Sequence, residues 1–126
     1  MSPKNRNEEK MKSLPIGVST FESIIKTDAL YVDKTQILYE LIKDKTPKRY
    51  FLSRPRRFGK STTCSTLSSI FYGKKELFKD LWIGQSDYQF VTRPVIYFDF
   101  SQISHSTPQV LVSGLHSSLN AHAKKY

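Results

Sequence analysis

The sequence predicts an α/β fold in which helices flank a parallel sheet, on three observations. Two short apolar runs, residues 50–52 and 95–100, have the length and the bounding residues of strands. Segments with helical spacing precede, separate and follow them. The chain of 126 residues suits one domain, and strands alternating with helices in a single domain favour parallel pairing. Two strands do not make a stable sheet of that kind. The fold is therefore expected to be incomplete, with further strands supplied by a longer chain, by a partner chain or by an oligomer.

Residues 1–13 read as a flexible leader, because they offer almost nothing to bury. Residues 14–126 read as the folded part. Ser19 or Thr20 caps a short helix carrying Phe21, Ile24 and Ile25, with Glu22 in its first turn. Asp33 is the expected N-cap of a second helix with Ile37, Leu38, Leu41 and Ile42 on one face. Tyr50, Phe51 and Leu52, bounded by charge and by Arg54-Pro55, read as a buried strand. A third helix starts at Gly59 or Lys60, turns Cys64, Leu67, Ile70 and Phe71 inward, and stops at Gly73. A short helix burying Leu77, Phe78, Leu81 and Trp82 follows. Pro94 then opens the second strand. The last helix is started by Ser106 or Thr107, has Pro108 in its first turn, and carries Val110, Leu111, Leu115 and Leu119.

Composition narrows the function classes. Hydrophobic residues make up 38% of the chain and aromatic residues 13%, too many for a disordered segment. No apolar run approaches the length of a membrane span, and the polar start does not resemble a secretory signal. One cysteine, Cys64, allows no internal disulfide and fits a cytoplasmic protein. The net charge is +9, and it is concentrated. Residues 43–60 hold eight cations, Lys43, Lys45, Lys48, Arg49, Arg54, Arg56, Arg57 and Lys60, against one acid, Asp44. Such a stretch suits a polyanion, either the phosphates of a nucleotide or a nucleic acid.

The segment Ser53-Arg54-Pro55-Arg56-Arg57-Phe58-Gly59-Lys60-Ser61-Thr62 favours the nucleotide. Its Gly59, Lys60 and Ser61 match the last three positions of the phosphate-loop pattern, while Arg54 stands where the first glycine would be. A loop feeding a helix N-terminus offers converging N–H donors and the positive end of the helix dipole. Gly59 allows close backbone approach. Lys60 reaches the β- and γ-phosphates, the Ser61 hydroxyl ligates Mg²⁺, and Thr62 contributes at the α-phosphate. Arg57 and Phe58 complete the expected cofactor-binding set of Arg57, Phe58, Gly59, Lys60, Ser61 and Thr62, with Mg-ATP as cofactor. Arg54, Arg56 and Arg57 have two readings, as solvated surface charges or as groups that reach the phosphates.

Arg54-Pro55-Arg56-Arg57-Phe58-Gly59-Lys60-Ser61 resembles the signature of the AAA-ATPase-like family. Gly17-Val18-Ser19-Thr20-Phe21-Glu22, Tyr31-Val32-Asp33-Lys34-Thr35, Gly73-Lys74-Lys75-Glu76-Leu77-Phe78 and Pro94-Val95-Ile96-Tyr97-Phe98-Asp99-Phe100-Ser101 resemble its other blocks, in order. The resemblance implies an AAA-type P-loop NTPase fold, binding of ATP and, in complete members, its hydrolysis. Arginine at the position of the first glycine belongs to the family's own pattern. Members continue into a second acidic motif, and many carry a nuclease-like domain. Neither is present in this sequence, so it reads as the front part of a longer ATPase. Nucleotide binding is expected more than efficient hydrolysis, and catalytic residues stay unassigned.

The other candidates have simpler structural readings. Asp99 ends a strand but no acid follows it, so local hydrogen bonding is expected rather than magnesium binding. Asp33 and Lys34 read as a cap and a solvated charge, Cys64 as a small buried hydrophobe, and Trp82, Tyr88 and Phe90 as packing residues. The spacing of His105, His116 and His122 matches no zinc site. Two alternatives to the nucleotide reading remain at this stage: a nucleic-acid-binding module built on residues 43–60, and a non-functional gene remnant.

Overall fold

Helix α1 (Phe21–Lys26) begins after Thr20, whose extended backbone (φ −88°, ψ 134°) serves as the N-cap. Glu22 in its first turn and Lys26 in its last complement the helix dipole. Six residues do not make a stable helix alone, and α1 is held by burial of Phe21 and Ile24. The Glu22 carboxylate also bridges Lys26 and Lys74, each at 2.6 Å. Hydrogen bonds from Lys26 and Lys74 hold its pKa down at about 2.

Helix α2 (Thr35–Ile42) is set by Asp33. One carboxylate oxygen accepts from the Thr35 N–H at 2.9 Å and from the Thr35 hydroxyl at 2.6 Å, and the other accepts from the Trp82 N–H at 2.7 Å. The fully buried Thr35 hydroxyl in turn accepts from the Ile83 N–H at 3.1 Å. Burial alone would raise the Asp33 pKa, but the hydrogen bonds from Thr35 and Trp82 outweigh it and keep it low. Asp33 thus acts two residues ahead of α2, while Lys34 occupies the formal N-cap position.

Helix α3 (Lys60–Phe71) ends as its sequence foretells. Gly73 adopts φ 72°, its N–H bonds the Ile70 carbonyl at 3.1 Å, and the Lys74 N–H bonds the Ser69 carbonyl at 3.2 Å. This is the double closure of a left-handed glycine stop. The expected single helix after it is instead two 3₁₀ turns, Lys75–Phe78 and Trp82–Gln85. They pack so closely that a Cβ on Gly84 would lie 1.8 Å from the Phe78 carbonyl oxygen.

The structure, a computed structural model, describes residues 11–55 and 59–126. The chain divides into two units, one ending at Val91 and one beginning at Thr92. The core of the first unit gathers Phe21, Leu38, Ile70, Phe78 and Ile83. Phe21 stacks on Phe78 with centroids 4.6 Å apart and meets Tyr31 edge-on at 5.1 Å. Trp82, Tyr88 and Phe90 join the surrounding aromatic packing as expected, Trp82 against Tyr39 and Phe90 against Phe78. Most of the expected leader lies outside the described residues. Of its last residues, Lys12 pairs with Asp28 and the Ser13 carbonyl accepts from the Leu30 N–H at 2.7 Å.

The second unit is built on helix α4 (Pro108–Ala123), with Pro108 in its first turn and the Thr107 side chain accepting from the Val110 N–H at 3.2 Å. The Asp99 carboxylate caps the 3₁₀ turn Phe100–Gln102 by accepting from the Ser101 N–H. Gly114 admits the buried Ile103 against α4. His122 bonds the Tyr97 carbonyl at 2.8 Å.

The expected parallel sheet, and with it the AAA-type P-loop architecture of a sheet flanked by helices, is not formed: the described residues contain no strand. Tyr50, Phe51 and Leu52 are exposed, Phe51 at 93%, and Ile96, Tyr97 and Phe100 are exposed too. The physical reason is that a strand exists only through a ladder partner. The two apolar runs fall in different units, and neither finds such a partner among the described residues. Cys64 is also exposed, not buried as its place in the apolar pattern implied. Ile70 is buried and Leu67 packs against the core as expected, and Thr66 and Ser69 are buried on the same helix. Among the described residues no helix is long and apolar enough to cross a membrane.

Candidate functional site

Gly59 is the N-cap of α3 and adopts φ 78°, ψ 19°, the left-handed region that glycine enters freely. Its carbonyl accepts the Thr63 N–H at 2.9 Å, the first bond of the helical ladder. The N–H groups of Lys60, Ser61 and Thr62 therefore lie ahead of that ladder, at the positive end of a twelve-residue helix. No acid occupies the first turn. The Lys60 and Ser61 side chains are exposed beside these donors. A Cβ built on Gly59 would meet no atom of the described residues within 4 Å.

The arrangement is one of donors: backbone N–H groups, an ammonium and a hydroxyl, with no carboxylate in the turn to repel an anion. Its chemistry fits a phosphate. A magnesium ion bound with that phosphate would draw one protein oxygen from Ser61 and the rest from phosphate and water. Among the described residues no group of three or more His, Cys, Asp or Glu side chains is placed to hold a metal.

Of the expected site residues, Gly59, Lys60, Ser61 and Thr62 come together on this one turn. Arg57 and Phe58, like Arg56, lie outside the described residues. Thr62 differs from Ser61 in that its hydroxyl donates to the Ser19 carbonyl at 2.9 Å. The Thr63 hydroxyl donates back to the Gly59 carbonyl at 2.9 Å. Ser65 accepts from the Phe21 N–H at 2.9 Å and donates to the Thr62 carbonyl at 2.9 Å, and Thr66 donates to the same carbonyl at 2.7 Å. Sequence reasoning named neither Thr63 nor Ser65. The density of hydroxyls from Ser61 to Thr66 was the available signal, since a helix face that merely packs on a core does not need them.

The basic stretch is partly neutralised. Lys43 pairs with Glu40, and Lys48 pairs with Asp44 at 3.0 Å. Lys45, Arg49 and Arg54 are exposed. In the second unit the Asp99 carboxylate is engaged with Ser101, and His105 lies 3.3 Å from the Ile103 carbonyl, both local contacts.

Known proteins extend this picture. A segment of 73 residues, 57% of the chain, is 49% identical to a protein of Azotobacter chroococcum mcd 1 described as an uncharacterized protein in the vnfD 5′ region. The chain spans 14% of that relative's length. No solved structure matches it. The model of the family described as AAA-ATPase-like, predicted AAA-ATPase, matches residues 15–126, nearly the whole chain and every residue of the turn at Gly59; the protein belongs to the AAA-ATPase-like family.

Proposed function

We propose that this chain binds Mg-ATP, with the phosphates seated on the N-terminus of α3. The observation that carries this reading is the left-handed Gly59 opening α3 directly ahead of an exposed Lys60 and Ser61. The N–H groups of residues 60–62 donate to phosphate oxygens, the Lys60 ammonium balances their charge, and the Ser61 hydroxyl faces the metal. Magnesium, when bound, neutralises charge on the phosphates. Membership of the AAA-ATPase-like family supports ATP as the nucleotide. Hydrolysis is the activity we assign to a longer protein of this family, with this turn as its phosphate grip. The cytoplasm suits both Mg-ATP and a lone reduced thiol at Cys64.

The test is thermal unfolding with and without Mg-ATP, together with calorimetric titration. Saturation at about 100 times Kd should stabilise the wild type by about 2.7 kcal/mol. Lys60→Ala removes charge-assisted bonds worth about 1.5–3 kcal/mol, so its affinity should fall about 10–100-fold. An unchanged dissociation constant in that variant would sink the reading. Steeply salt-dependent binding of single-stranded DNA, with no competition from ATP, would point instead to a nucleic-acid module.

A further inference from the structure

The Thr62 hydroxyl has one proton, and that proton is spent on the Ser19 carbonyl. A phosphate oxygen needs a donor, so in this arrangement the Thr62 side chain has no proton to give it. Ser65 makes a second link of the same kind, taking the Phe21 N–H and passing its own proton to the Thr62 carbonyl. On one side both links end within residues 19–21, the entry to α1. On the other they end in the first two turns of α3. Phe21 is fully buried in the core. Two hydroxyls therefore tie the donor-bearing turn of α3 to a segment that Phe21 anchors in the core of the first unit.

We propose that Thr62, with Ser65, is a positioning residue: it clasps residues 19–21 and fixes the direction in which the N–H groups of residues 60–62 point, without its side chain touching the nucleotide. The proposal rests on the nucleotide reading above. It narrows the expected contribution of Thr62 at the α-phosphate to its backbone N–H and gives its side chain a structural task. It also predicts communication, because an occupied phosphate turn and a protected entry to α1 are two ends of the same clasp.

The experiment compares the wild type, Thr62→Val and Thr62→Ser by hydrogen exchange at the Phe21 amide and by calorimetric titration with Mg-ATP. Valine keeps the shape and removes the donor, whereas serine keeps the donor. Without nucleotide, the Phe21 amide should exchange about fivefold faster in Thr62→Val and at the wild-type rate in Thr62→Ser. Mg-ATP affinity should fall about fivefold in the valine variant and recover in the serine variant. Saturating Mg-ATP should slow Phe21 exchange in the wild type clearly more than in Thr62→Val, where only the Ser65 link is left, a loss of coupling that mere destabilisation would not produce. Wild-type exchange in nucleotide-free Thr62→Val, with affinity down tenfold or more, would make Thr62 a direct ligand and overturn the proposal. Intact coupling in the saturated valine variant would overturn it as well. If Thr62→Val does not fold, Ser65→Ala cuts the other link and carries the same measurements. If wild-type protein fails to bind Mg-ATP, the positioning role falls with the nucleotide reading, and the nucleotide-free exchange arm alone separates that failure from absence of the clasp.

Discussion

Replacing Gly59 by alanine isolates the backbone conformation on which the proposed phosphate cradle depends. An added Cβ meets no described atom within 4 Å, so the substitution causes no collision among the described residues. What remains is the cost of placing an L side chain at φ 78°, about 1–2 kcal/mol, together with the poorer capping of alanine. For a domain of this size about 1 kcal/mol moves the thermal midpoint by about 4 °C, so the expected fall is about 4–8 °C. Asparagine tolerates the left-handed region and caps well. Gly59→Asn should therefore lose less than half as much. The assay is thermal unfolding followed by far-ultraviolet circular dichroism, repeated with Mg-ATP. If alanine leaves the midpoint unchanged, or asparagine costs as much as alanine, the turn is not left-handed and the cradle loses its geometric basis.

Gly84→Ala should be more damaging, because its Cβ would lie 1.8 Å from the Phe78 carbonyl oxygen and 2.5 Å from its carbon, and backbone atoms must move. A loss of about 3 kcal/mol or more is expected, read as a denaturation midpoint, and a loss below about 1 kcal/mol would contradict the packing of the two 3₁₀ turns. Acid should unpick the Glu22 bridge. Its folded pKa of about 2 lies below the ordinary 4.5, so its stabilisation is complete above about pH 4.5 and is lost as pH falls towards 2. Glu22→Gln should start with a lower midpoint at neutral pH and show a shallower acid decline than the wild type over that window; parallel curves would show that the bridge contributes nothing.

What was legible in the sequence is what a few neighbouring residues decide. Thr107 and Pro108 start α4 because a hydroxyl three residues before the Val110 N–H suffices. Gly73 stops α3 because only its own φ and two nearby carbonyls are involved. The turn at Gly59 was readable for the same reason. The strands were not, because apolar runs such as 50–52 look the same with a ladder partner and without one. Tyr50 spends its hydroxyl on the Leu41 carbonyl at 2.8 Å, and Phe51 faces solvent. Cys64 was misplaced because periodicity counts only apolar residues as core. In α3 the hydroxyl of Thr66 is satisfied by the Thr62 carbonyl one turn back, which makes it cheap to bury and turns Cys64 outward. For Thr62 the motif gives no hint of the bond to the Ser19 carbonyl, since Ser19 is remote in sequence.

Helix α3 therefore divides its work along its length. Its C-terminal half buries Thr66, Ser69 and Ile70 and closes on Gly73, which fixes it to the core around Phe21 and Phe78. Its N-terminal turn exposes Lys60 and Ser61 and cannot be held by apolar burial without losing access to a ligand. Hydroxyls resolve that conflict: Thr62 and Ser65 tether the open end through directional bonds that occupy little surface, and Thr63 ties its side chain to the Gly59 carbonyl. A binding turn carried by a packed helix and steadied by supporting hydrogen bonds keeps its donors aimed before the ligand arrives, so less order has to be gained on binding. The polar character of α3 thus leaves its N-terminal turn exposed yet tethered, as the proposed phosphate grip requires, and a helix with leucines in place of Thr62 and Ser65 would have to choose between the two.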